Sequence, residues 1–310
     1  MNILLVGGAG FIGSNLISGL MSRGDCQISV LEPGFASLQR LEGMPINIYR
    51  GDLSNLDKLE TIIIQQKISV VVHLVSTIIP GSNFDDYQRE FTNVIFPSIR
   101  LMELCSERGI KFVYFSSGGT IYGDRKGDAV PFKEECPMAP ISYYGWSKQM
   151  MENSILYMHR TQGLDYLILR PSNPFGIGQN LHGKQGLIAV ALGKILAGEK
   201  ITIWGDGSVV RDYIYIDDLS QALVDILEDD NIINTTLNIG SGIGYSINQI
   251  IDIIRKVVDE NVVVEYVEAR KVDVSSVILD ITKVRNLICF NPQSIEVGIS
   301  KFYRSIKNGK

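Results

Sequence analysis

Metal-binding and disulfide-forming side chains are scarce in this chain of 310 residues. Its four cysteines form no CxxC pair and it has only three histidines, so nothing predicts a zinc site or a disulfide framework. The net charge of −5 argues against nucleic-acid binding and against docking on an anionic membrane. The longest apolar run, residues 68–80, is too short to span a bilayer, and no basic stretch precedes the apolar N-terminus. We therefore expect a cytoplasmic protein with no metal, nucleic-acid or membrane partner.

Short apolar runs alternate with helical patterns through the first half of the chain. Runs such as 2–6, 27–32 and 111–116 lack polar alternation, which is typical of parallel strands buried on both faces. Strands that alternate with helices predict right-handed βαβ crossovers and a doubly wound α/β sheet, the Rossmann type. A helix is predicted over residues 92–106 and another over 142–159.

The pattern changes after Pro171, where a loop rich in Gly, Asn and Pro begins. We predict a Rossmann domain at residues 1–175, to which the chain returns around 212–241, and a smaller α/β substrate domain at residues 176–310. Within the second part, Ser246 and Gln249 form a capping box that starts a helix.

The segment Gly7-Gly8-Ala9-Gly10-Phe11-Ile12-Gly13 follows the first predicted strand and opens the first helix. Glycines there allow a tight turn and let the backbone approach a pyrophosphate at a helix N-terminus, so the segment predicts a dinucleotide loop. Glu32 ends the second strand, where an acid meets the adenosine ribose and repels a 2′-phosphate, which favours NAD over NADP. The alternative for Glu32 is an acid in a solvent-facing loop. Asp52 follows the third predicted strand and could lie at the cofactor, and its alternative is an aspartate in an ordinary turn.

Tyr144 and Lys148 lie four residues apart, so a helix places them on one face. A phenol is a poor base at neutral pH, but a nearby ammonium and an oxidised nicotinamide can lower its pKa. The pair could then remove a proton from an alcohol during its oxidation. The alternative is that the tyrosine and the lysine lie on the helix surface and have this spacing by chance. The dinucleotide loop that precedes them in the chain argues against that alternative.

These motifs occur with others along nearly the whole chain. The further segments are Asp52-Leu53, His73-Leu74, residues 116–123 (SSGGTIYG), residues 169–176 (LRPSNPFG), residues 204–207 (WGDG), residues 210–213 (VRDY) and Arg270-x-x-Asp273. Together the motifs resemble the extended short-chain dehydrogenases/reductases, and within them the nucleotide-sugar epimerase/dehydratase branch.

The resemblance implies roles for individual residues. Those implied at the cofactor, NAD, are Gly7, Gly10, Phe11, Ile12, Gly13, Glu32, Asp52, Leu53, Leu74, Ser76, Asn93, Ser116, Tyr144, Lys148 and Pro171. Those implied at the substrate are Asn173, Arg211 and Arg270 at the phosphates, Asp273 at the ribose, Ile203 and Trp204 beside the base, and Gln185 and Val277 near the sugar. Without the resemblance, Trp204 could be a core residue and the two arginines surface ion-pair partners.

The chain departs from the family pattern at Gly118, where many relatives carry a catalytic hydroxyl. Ser117 and Thr120 are the candidate replacements. No carboxylates follow this position, which argues against dehydration, and Ile78 stands where some epimerases carry a lysine. Val277 replaces a residue that is often tyrosine, so we expect room for an N-acetyl group.

The leading hypothesis is NAD-dependent 4-epimerisation of a nucleotide hexose, such as UDP-glucose/galactose or an N-acetylated analogue. The alternative is an NAD(P)H-dependent 4-ketoreductase that acts on a 4-keto-6-deoxy nucleotide sugar. A nucleotide-binding scaffold without chemistry is a third possibility, against which the intact Tyr–Lys pair argues. The resemblance also implies a homodimer paired through the helices near residues 92–106 and 147–159, and, by family habit, polysaccharide biosynthesis.

Overall fold

The computed structural model describes residues 1–24, 26–124, 131–183, 185–258, 260–268 and 274–309. Over these ranges the chain forms strands and helices that alternate through its first half. The strands are β1 (Asn2–Val6), β2 (Gln27–Glu32), β3 (Asn47–Arg50), β4 (Val70–His73), β5 (Lys111–Phe115), β6 (Tyr166–Pro171), β7 (Asn173–Phe175), β8 (Ile201–Trp204), β9 (Val210–Tyr215), β10 (Thr235–Ile239), β11 (Gly244–Ser246), β12 (Val264–Val267) and β13 (Ser276–Val277). The α-helices are α1 (Phe11–Arg23), α2 (Leu56–Gln65), α3 (Phe84–Glu90), α4 (Phe96–Glu107), α5 (Tyr143–Gln162), α6 (Leu187–Leu196), α7 (Ile216–Glu228), α8 (Ile247–Val257), α9 (Thr282–Leu287) and α10 (Ile295–Lys307).

Seven strands form a parallel sheet in the order β10-β6-β5-β4-β1-β2-β3. From β1 the chain moves outward to β2 and β3, and then returns to place β4 on the other side of β1. This reversal puts a topological switch point between β1 and β4, where doubly wound sheets bind ligands beyond the carboxyl ends of their strands.

Both faces of this sheet are buried. Along β1, Ile3 and Leu5 join one apolar cluster while Leu4 and Val6 join another, and all four are at most 2% exposed. Strands of this kind carry no polar face, because helices cover the sheet on both sides. The predicted doubly wound α/β fold is confirmed.

The remaining strands form smaller sheets. β9 pairs with β7, β11 and β13, and β8 pairs with β12. α7 packs against α1, and β10 joins the edge of the large sheet beside β6. The capping box predicted at Ser246 and Gln249 is present at the start of α8.

The helix predicted over residues 92–106 is interrupted. A π-helical segment, Phe91–Ile95, precedes α4, which begins at Phe96. Pro97 has no N–H to donate to the carbonyl of Asn93, so the regular series of α-helical hydrogen bonds is interrupted at this residue. The preceding helix α3 was not predicted. None of the helices in the described ranges is long and apolar enough to cross a membrane.

Candidate active site

The glycine loop joins β1 to α1 at the switch point of the sheet. Gly7 has a left-handed φ of 84°, and a Cβ there would lie 2.8 Å from a methyl group of Val75 in the loop after β4. At Gly13 a Cβ would lie 2.5 Å from the carbonyl oxygen of Gly8, so only glycine lets α1 begin this close to the loop. Gly10 caps the helix without a side chain, and the nearest atom to a Cβ built there is 3.7 Å away.

Glu32 ends β2 beside this loop and is only 5% exposed. Its Oε1 accepts a hydrogen bond of 2.5 Å from the backbone N–H of Ala9. Burial raises the pKa of the Glu32 carboxyl, while this hydrogen bond and the Arg50 charge act in the opposite direction. The side chain therefore belongs to the dinucleotide loop and is not a solvent-facing acid.

Tyr144 and Lys148 lie in the first turns of α5, whose N-terminus is capped by the Ser142 side chain. The Lys148 side chain is 5% exposed, and its Nζ donates a hydrogen bond of 2.9 Å to the carbonyl of Phe115 at the end of β5. The same Nζ lies 5.1 Å from the ring centre of Tyr114 and 5.5 Å from that of Tyr144. The ammonium thus contacts the faces of two aromatic rings, which stabilise a desolvated cation.

The charge states of the pair follow from their surroundings. Burial lowers the pKa of the Lys148 ammonium to about 8, while the carboxylates of Glu90 and Glu152 act in the opposite direction. Burial raises the pKa of the Tyr144 phenol to about 12; a hydrogen bond from Ser117 lowers it, and the Glu90 charge raises it. The phenol is therefore protonated here, and the lowering predicted from the sequence needs the positive charge of an oxidised nicotinamide as well as Lys148.

Hydroxyl groups face the phenol from the loop after β5. Thr120 donates a hydrogen bond of 3.0 Å to the hydroxyl oxygen of Ser117, and the Ser117 hydroxyl lowers the pKa of the Tyr144 phenol. A side chain at Gly118 between them would force its neighbours to shift, because a Cβ would lie 2.5 Å from a Leu279 methyl group and 3.0 Å from the carbonyl of Arg170. Of the two hydroxyls predicted as replacements, Ser117 acts on the phenol and Thr120 contacts Ser117.

Glu90 is a buried acid at this site that sequence reasoning missed. It is 2% exposed and ends α3. Its Oε1 accepts from the Ser76 hydroxyl at 3.0 Å, and its Oε2 accepts from the Thr77 N–H at 2.9 Å and the Thr77 hydroxyl at 2.5 Å. No motif contains this acid, and only the tertiary fold brings it to the loop after β4.

A second buried acid, Glu152, fastens α5 to the sheet. Both its oxygens accept from the guanidinium of Arg170 in β6, at 3.0 and 2.6 Å, with the two side chains 1% and 5% exposed. Arg170 also donates to the Tyr122 hydroxyl at 2.8 Å and to the Glu134 carbonyl at 2.9 Å. This bidentate pair fixes the helix that carries Tyr144 and Lys148.

The other predicted cofactor residues lie in different surroundings. Ser116 is buried beside the end of β5, and its hydroxyl has no hydrogen-bond partner among the described residues. Asp52 is exposed and accepts hydrogen bonds from Ser54 within its own turn, while Leu53 is buried. Asn93 is exposed on the π-helical segment. Phe11, Ile12, Leu74 and Pro171 lie at the carboxyl edge of the sheet, at the start of α1 and the ends of β4 and β6.

The predicted substrate residues are only partly brought together. Asn173 lies beyond β6 and donates a hydrogen bond of 2.8 Å to the carbonyl of Asp212, next to Arg211. The side chains of Ile203 and Val277 are each 2% exposed and lie in the core, whereas Trp204 is 44% exposed. Strand alternation explains the contrast between the neighbours in β8. The buried side chain of Val277 therefore gives no direct support to the size argument made for it.

The remaining predicted substrate residues are Gln185, Arg270 and Asp273. Gln185 is exposed in the loop before α6. Arg270 and Asp273 lie outside the described residues.

The carboxyl edge of the sheet fits a dinucleotide. A Cβ built at Gly10 would meet no atom closer than 3.7 Å, the first turn of α1 has no side-chain cap, and the Ser116 hydroxyl is buried without a partner in the described ranges. Free N–H groups at a helix N-terminus attract a pyrophosphate. The same edge carries the phenol, the ammonium and two hydroxyls, a set that can move a proton to and from a secondary alcohol.

Comparison with known proteins agrees with this geometry. Residues 3–240 match the family model for the NAD dependent epimerase/dehydratase family. The chain is 30% identical to a dTDP-4-dehydro-6-deoxyglucose reductase of Escherichia coli, over 98% of this chain and 97% of the relative. It is also 30% identical to a UDP-glucose 4-epimerase of Streptococcus mutans, over 94% and 92%.

Among solved structures, a UDP-glucose 4-epimerase from Thermotoga maritima with UDP-glucose superposes with a TM-score of 0.90 at 31% identity, covering 100% of this chain and 99% of the other. The chain therefore belongs to the NAD-dependent epimerase/dehydratase family of extended short-chain dehydrogenases/reductases, as its sequence motifs predicted.

Proposed function

We propose that the protein catalyses NAD-dependent 4-epimerisation of a nucleoside diphosphate hexose. The observation that carries this proposal is the pairing of Tyr144 with the buried Lys148 beside the Ser117 and Thr120 hydroxyls, next to a glycine loop that fits a dinucleotide. The family to which the chain belongs and its epimerase relatives support the same reaction.

The residues divide the proton chemistry among them. Tyr144 takes the proton of the C4 hydroxyl as that carbon is oxidised, and returns a proton when the opposite C4 configuration forms. Lys148 stabilises the phenolate through its positive charge, which the buried surroundings screen weakly. Ser117, whose hydroxyl accepts a hydrogen bond from Thr120, would donate a hydrogen bond to the phenol oxygen. When bound, the dinucleotide supplies oxidation and reduction at C4, so the net redox change of the reaction is zero.

Binding roles are proposed for the residues predicted from the sequence. The first turn of α1 and Glu32 would hold the pyrophosphate and the adenosine ribose. Asn173, Arg211, Trp204 and Gln185 would contact the nucleotide sugar, together with Arg270 and Asp273. We also propose the division predicted above, with residues 1–175 and the returning segment around 212–241 binding cofactor and residues 176–310 binding substrate.

A direct test compares two neighbouring tyrosines on α5. Purified protein is assayed, without added cofactor, for interconversion of C4 epimers of UDP-, dTDP- and GDP-hexoses. Tyr144→Phe should lower turnover by about 10²–10⁴-fold, since it removes the proton acceptor but not the ring. Tyr143→Phe is the matched control and should retain activity, because Tyr143 packs against Phe84 and Tyr87 on the outer side of α5. Full activity of Tyr144→Phe would contradict the assignment.

A second candidate function is reduction of a 4-keto-6-deoxy nucleotide sugar. Two observations favour it: the reductase relative matches nearly the whole chain, and Gly118 lacks the hydroxyl that many epimerases carry there. Tyr144 would then act as proton donor while NADH or NADPH reduces C4 irreversibly. Stoichiometric oxidation of added NAD(P)H by a 4-keto sugar nucleotide would establish this function, whereas bound NAD with cofactor-free epimerisation would exclude it.

The assembly is proposed to be a homodimer formed through α4, α5 and the π-helical segment. Large aromatic side chains on these elements and on α3 are exposed to between 40% and 57%: Phe84, Phe91, Phe96, Trp146 and Tyr157. Contiguous exposed apolar surface often marks a protein interface. Light scattering of the purified protein should give a mass of two chains; one chain would contradict this. We also propose that the enzyme is cytoplasmic, as its composition predicts, and that it serves polysaccharide biosynthesis, as the family resemblance implies.

A further inference from the structure

Tyr114 is a buried tyrosine at this site to which the proposed proton chemistry gives no part. It lies in β5, and its side chain and that of Phe112 join the apolar cluster that also holds residues of α5. Because side chains alternate along a strand, both rings point to the same face of the sheet. Tyr114 is the nearer of the two to the carboxyl edge, and its ring is the one that contacts the Lys148 ammonium.

The Lys148 ammonium rests against three groups. Its Nζ donates a hydrogen bond of 2.9 Å to the carbonyl of Phe115, and it lies 5.1 Å from the ring centre of Tyr114 and 5.5 Å from that of Tyr144. An aromatic ring attracts a cation through its negative face, and the attraction is strongest where water is excluded. The Tyr144 phenol changes its charge during the proposed reaction, whereas the Tyr114 ring keeps the same charge throughout. Tyr114 is therefore the constant aromatic contact of the ammonium.

The Tyr114 ring is itself held in place. It contacts the imidazole of His73 in β4, with ring centres 5.7 Å apart and planes inclined at 53°. The Ser98 hydroxyl donates to the Val94 carbonyl at 2.6 Å, so its oxygen can accept the Nε2–H of His73, 2.7 Å away. Burial lowers the pKa of His73 to about 3, so the imidazole is neutral at pH 7. A continuous series of contacts thus connects the ammonium, through two rings, to the π-helical segment Phe91–Ile95.

Other ionisable groups face this part of the site. Burial raises the pKa of the Tyr114 phenol well above its usual value, so the ring stays uncharged and does not compete with Tyr144 as a base. Burial lowers the pKa of the Lys148 ammonium to about 8, while the carboxylates of Glu90 on α3 and Glu152 on α5 act in the opposite direction. A change that tests the Tyr114 ring must therefore leave both carboxylates in place.

We propose that Tyr114 is a positioning residue for the reaction proposed above: its ring face holds the Lys148 ammonium in place beside the Tyr144 phenol. Without this contact the desolvated ammonium loses a stabilising neighbour, so it gives up its proton more readily and stabilises the phenolate less. The inference rests on the proposed function, which makes the charge on Lys148 necessary.

Fluorination of the ring tests the contact and keeps the shape of the side chain nearly constant. Phenylalanine and its 4-fluoro, 3,5-difluoro and 3,4,5-trifluoro derivatives replace Tyr114 in turn, because each fluorine withdraws electrons from the ring face. The protonation of Lys148 is followed from pH 6 to pH 10 by the ε-carbon signal of ¹³C-labelled lysine, assigned by its loss in Lys148→Arg. The Lys148 midpoint should fall with each fluorine, by roughly half a unit or more between Tyr114→Phe and the trifluoro ring.

The matched control places the same fluorinated residues at Phe112. This ring lies two residues earlier on the same face of β5 and contacts His73, with ring centres 5.8 Å apart. Fluorination there should leave the Lys148 midpoint unchanged. An equal shift in both series would overturn the inference, because the shift would then come from the added dipoles and not from the ring contact. A midpoint that stays constant along the Tyr114 series would also overturn it; if the trifluoro protein does not fold, a constant midpoint with the 4-fluoro ring decides.

The pH–rate profile gives a second readout. Because the phenolate needs the charged ammonium beside it, the alkaline limb should move to lower pH in the same order as the Lys148 midpoint. A purely structural role for Tyr114 would lower the rate without moving this limb.

The titration also separates this inference from the proposed function. A Lys148 midpoint that falls along the Tyr114 series, with no turnover of any nucleotide sugar, would reject the proposed reaction and retain the contact between ring and ammonium. Normal turnover with an unmoved midpoint would do the reverse.

Discussion

The ion pair between Arg170 and Glu152 buries two opposite charges where α5 meets the sheet, and removing one partner should cost more than removing both. In Arg170→Met, Glu152 loses hydrogen bonds of 3.0 and 2.6 Å to the guanidinium and stays 1% exposed. An uncompensated buried charge of this kind costs about 3–5 kcal/mol.

The double variant Arg170→Met/Glu152→Met should recover most of that loss. The Tyr122 hydroxyl and the Glu134 carbonyl each lose a hydrogen bond from Arg170, but Tyr122 keeps a partner because its hydroxyl donates to Asn238 at 2.6 Å. An apolar pair of similar volume often replaces a buried ion pair at little cost. We therefore expect the double variant to unfold within about 2 kcal/mol of the wild type.

Urea unfolding at pH 7 measures both variants. With a slope of about 3 kcal/mol per M, Arg170→Met should lower the midpoint by roughly 1–2 M, and the double variant by about 0.7 M or less. A double variant as unstable as Arg170→Met would refute the reasoning, since the loss would then come from packing.

Three further predictions concern buried positions near the site. Gly118→Ser should lower the free energy of unfolding by about 1–3 kcal/mol, because its Cβ meets Leu279 at 2.5 Å; a thermal midpoint equal to that of the wild type would contradict this. Gly13→Ala should weaken NAD binding by tenfold or more in a dialysis assay, because its Cβ meets the carbonyl of Gly8 at 2.5 Å and must displace α1; unchanged affinity would count against the loop assignment. Burial lowers the pKa of His73 to about 3, so between pH 6.5 and 3 the unfolded chain binds more protons than the folded one. The free energy of unfolding therefore decreases as the pH is lowered across that window. In His73→Gln that loss should be smaller, and urea midpoints that fall in parallel for both proteins would argue against it.

Local sequence signals predicted several of the elements that surround this site. The glycine loop, the first two strands and the capping box of α8 each depend on residues close together in the chain, and β1 and β2 have the bounds expected from their apolar runs. The Tyr144–Lys148 spacing was equally readable, since a helix alone brings residues four apart together.

Other features needed the folded chain. Glu90 reaches Ser76 and Thr77, and Arg170 reaches Glu152, only because α3 and α5 pack beside the sheet. The start of α3 carried a readable signal, since Asn83 and Asp86 form a capping box, but its seven residues are short for a periodicity argument.

The protonation of Tyr144 could not be read from spacing at all. The spacing gives the neighbour Lys148, while burial and the Glu90 charge raise the pKa of the phenol to about 12. Opposing effects of this size are decided by the three-dimensional surroundings of the group.

The central claim is that Tyr144 and Lys148 serve a reversible oxidation at C4 with no net redox change. The most direct measurement uses a nucleotide hexose deuterated at C4, incubated with purified protein and no added cofactor, with both epimers analysed by mass spectrometry. We predict that deuterium stays on C4 in both epimers and that Tyr144→Phe forms no second epimer. Loss of the label to solvent, or a product formed only when NAD(P)H is consumed, would contradict the account.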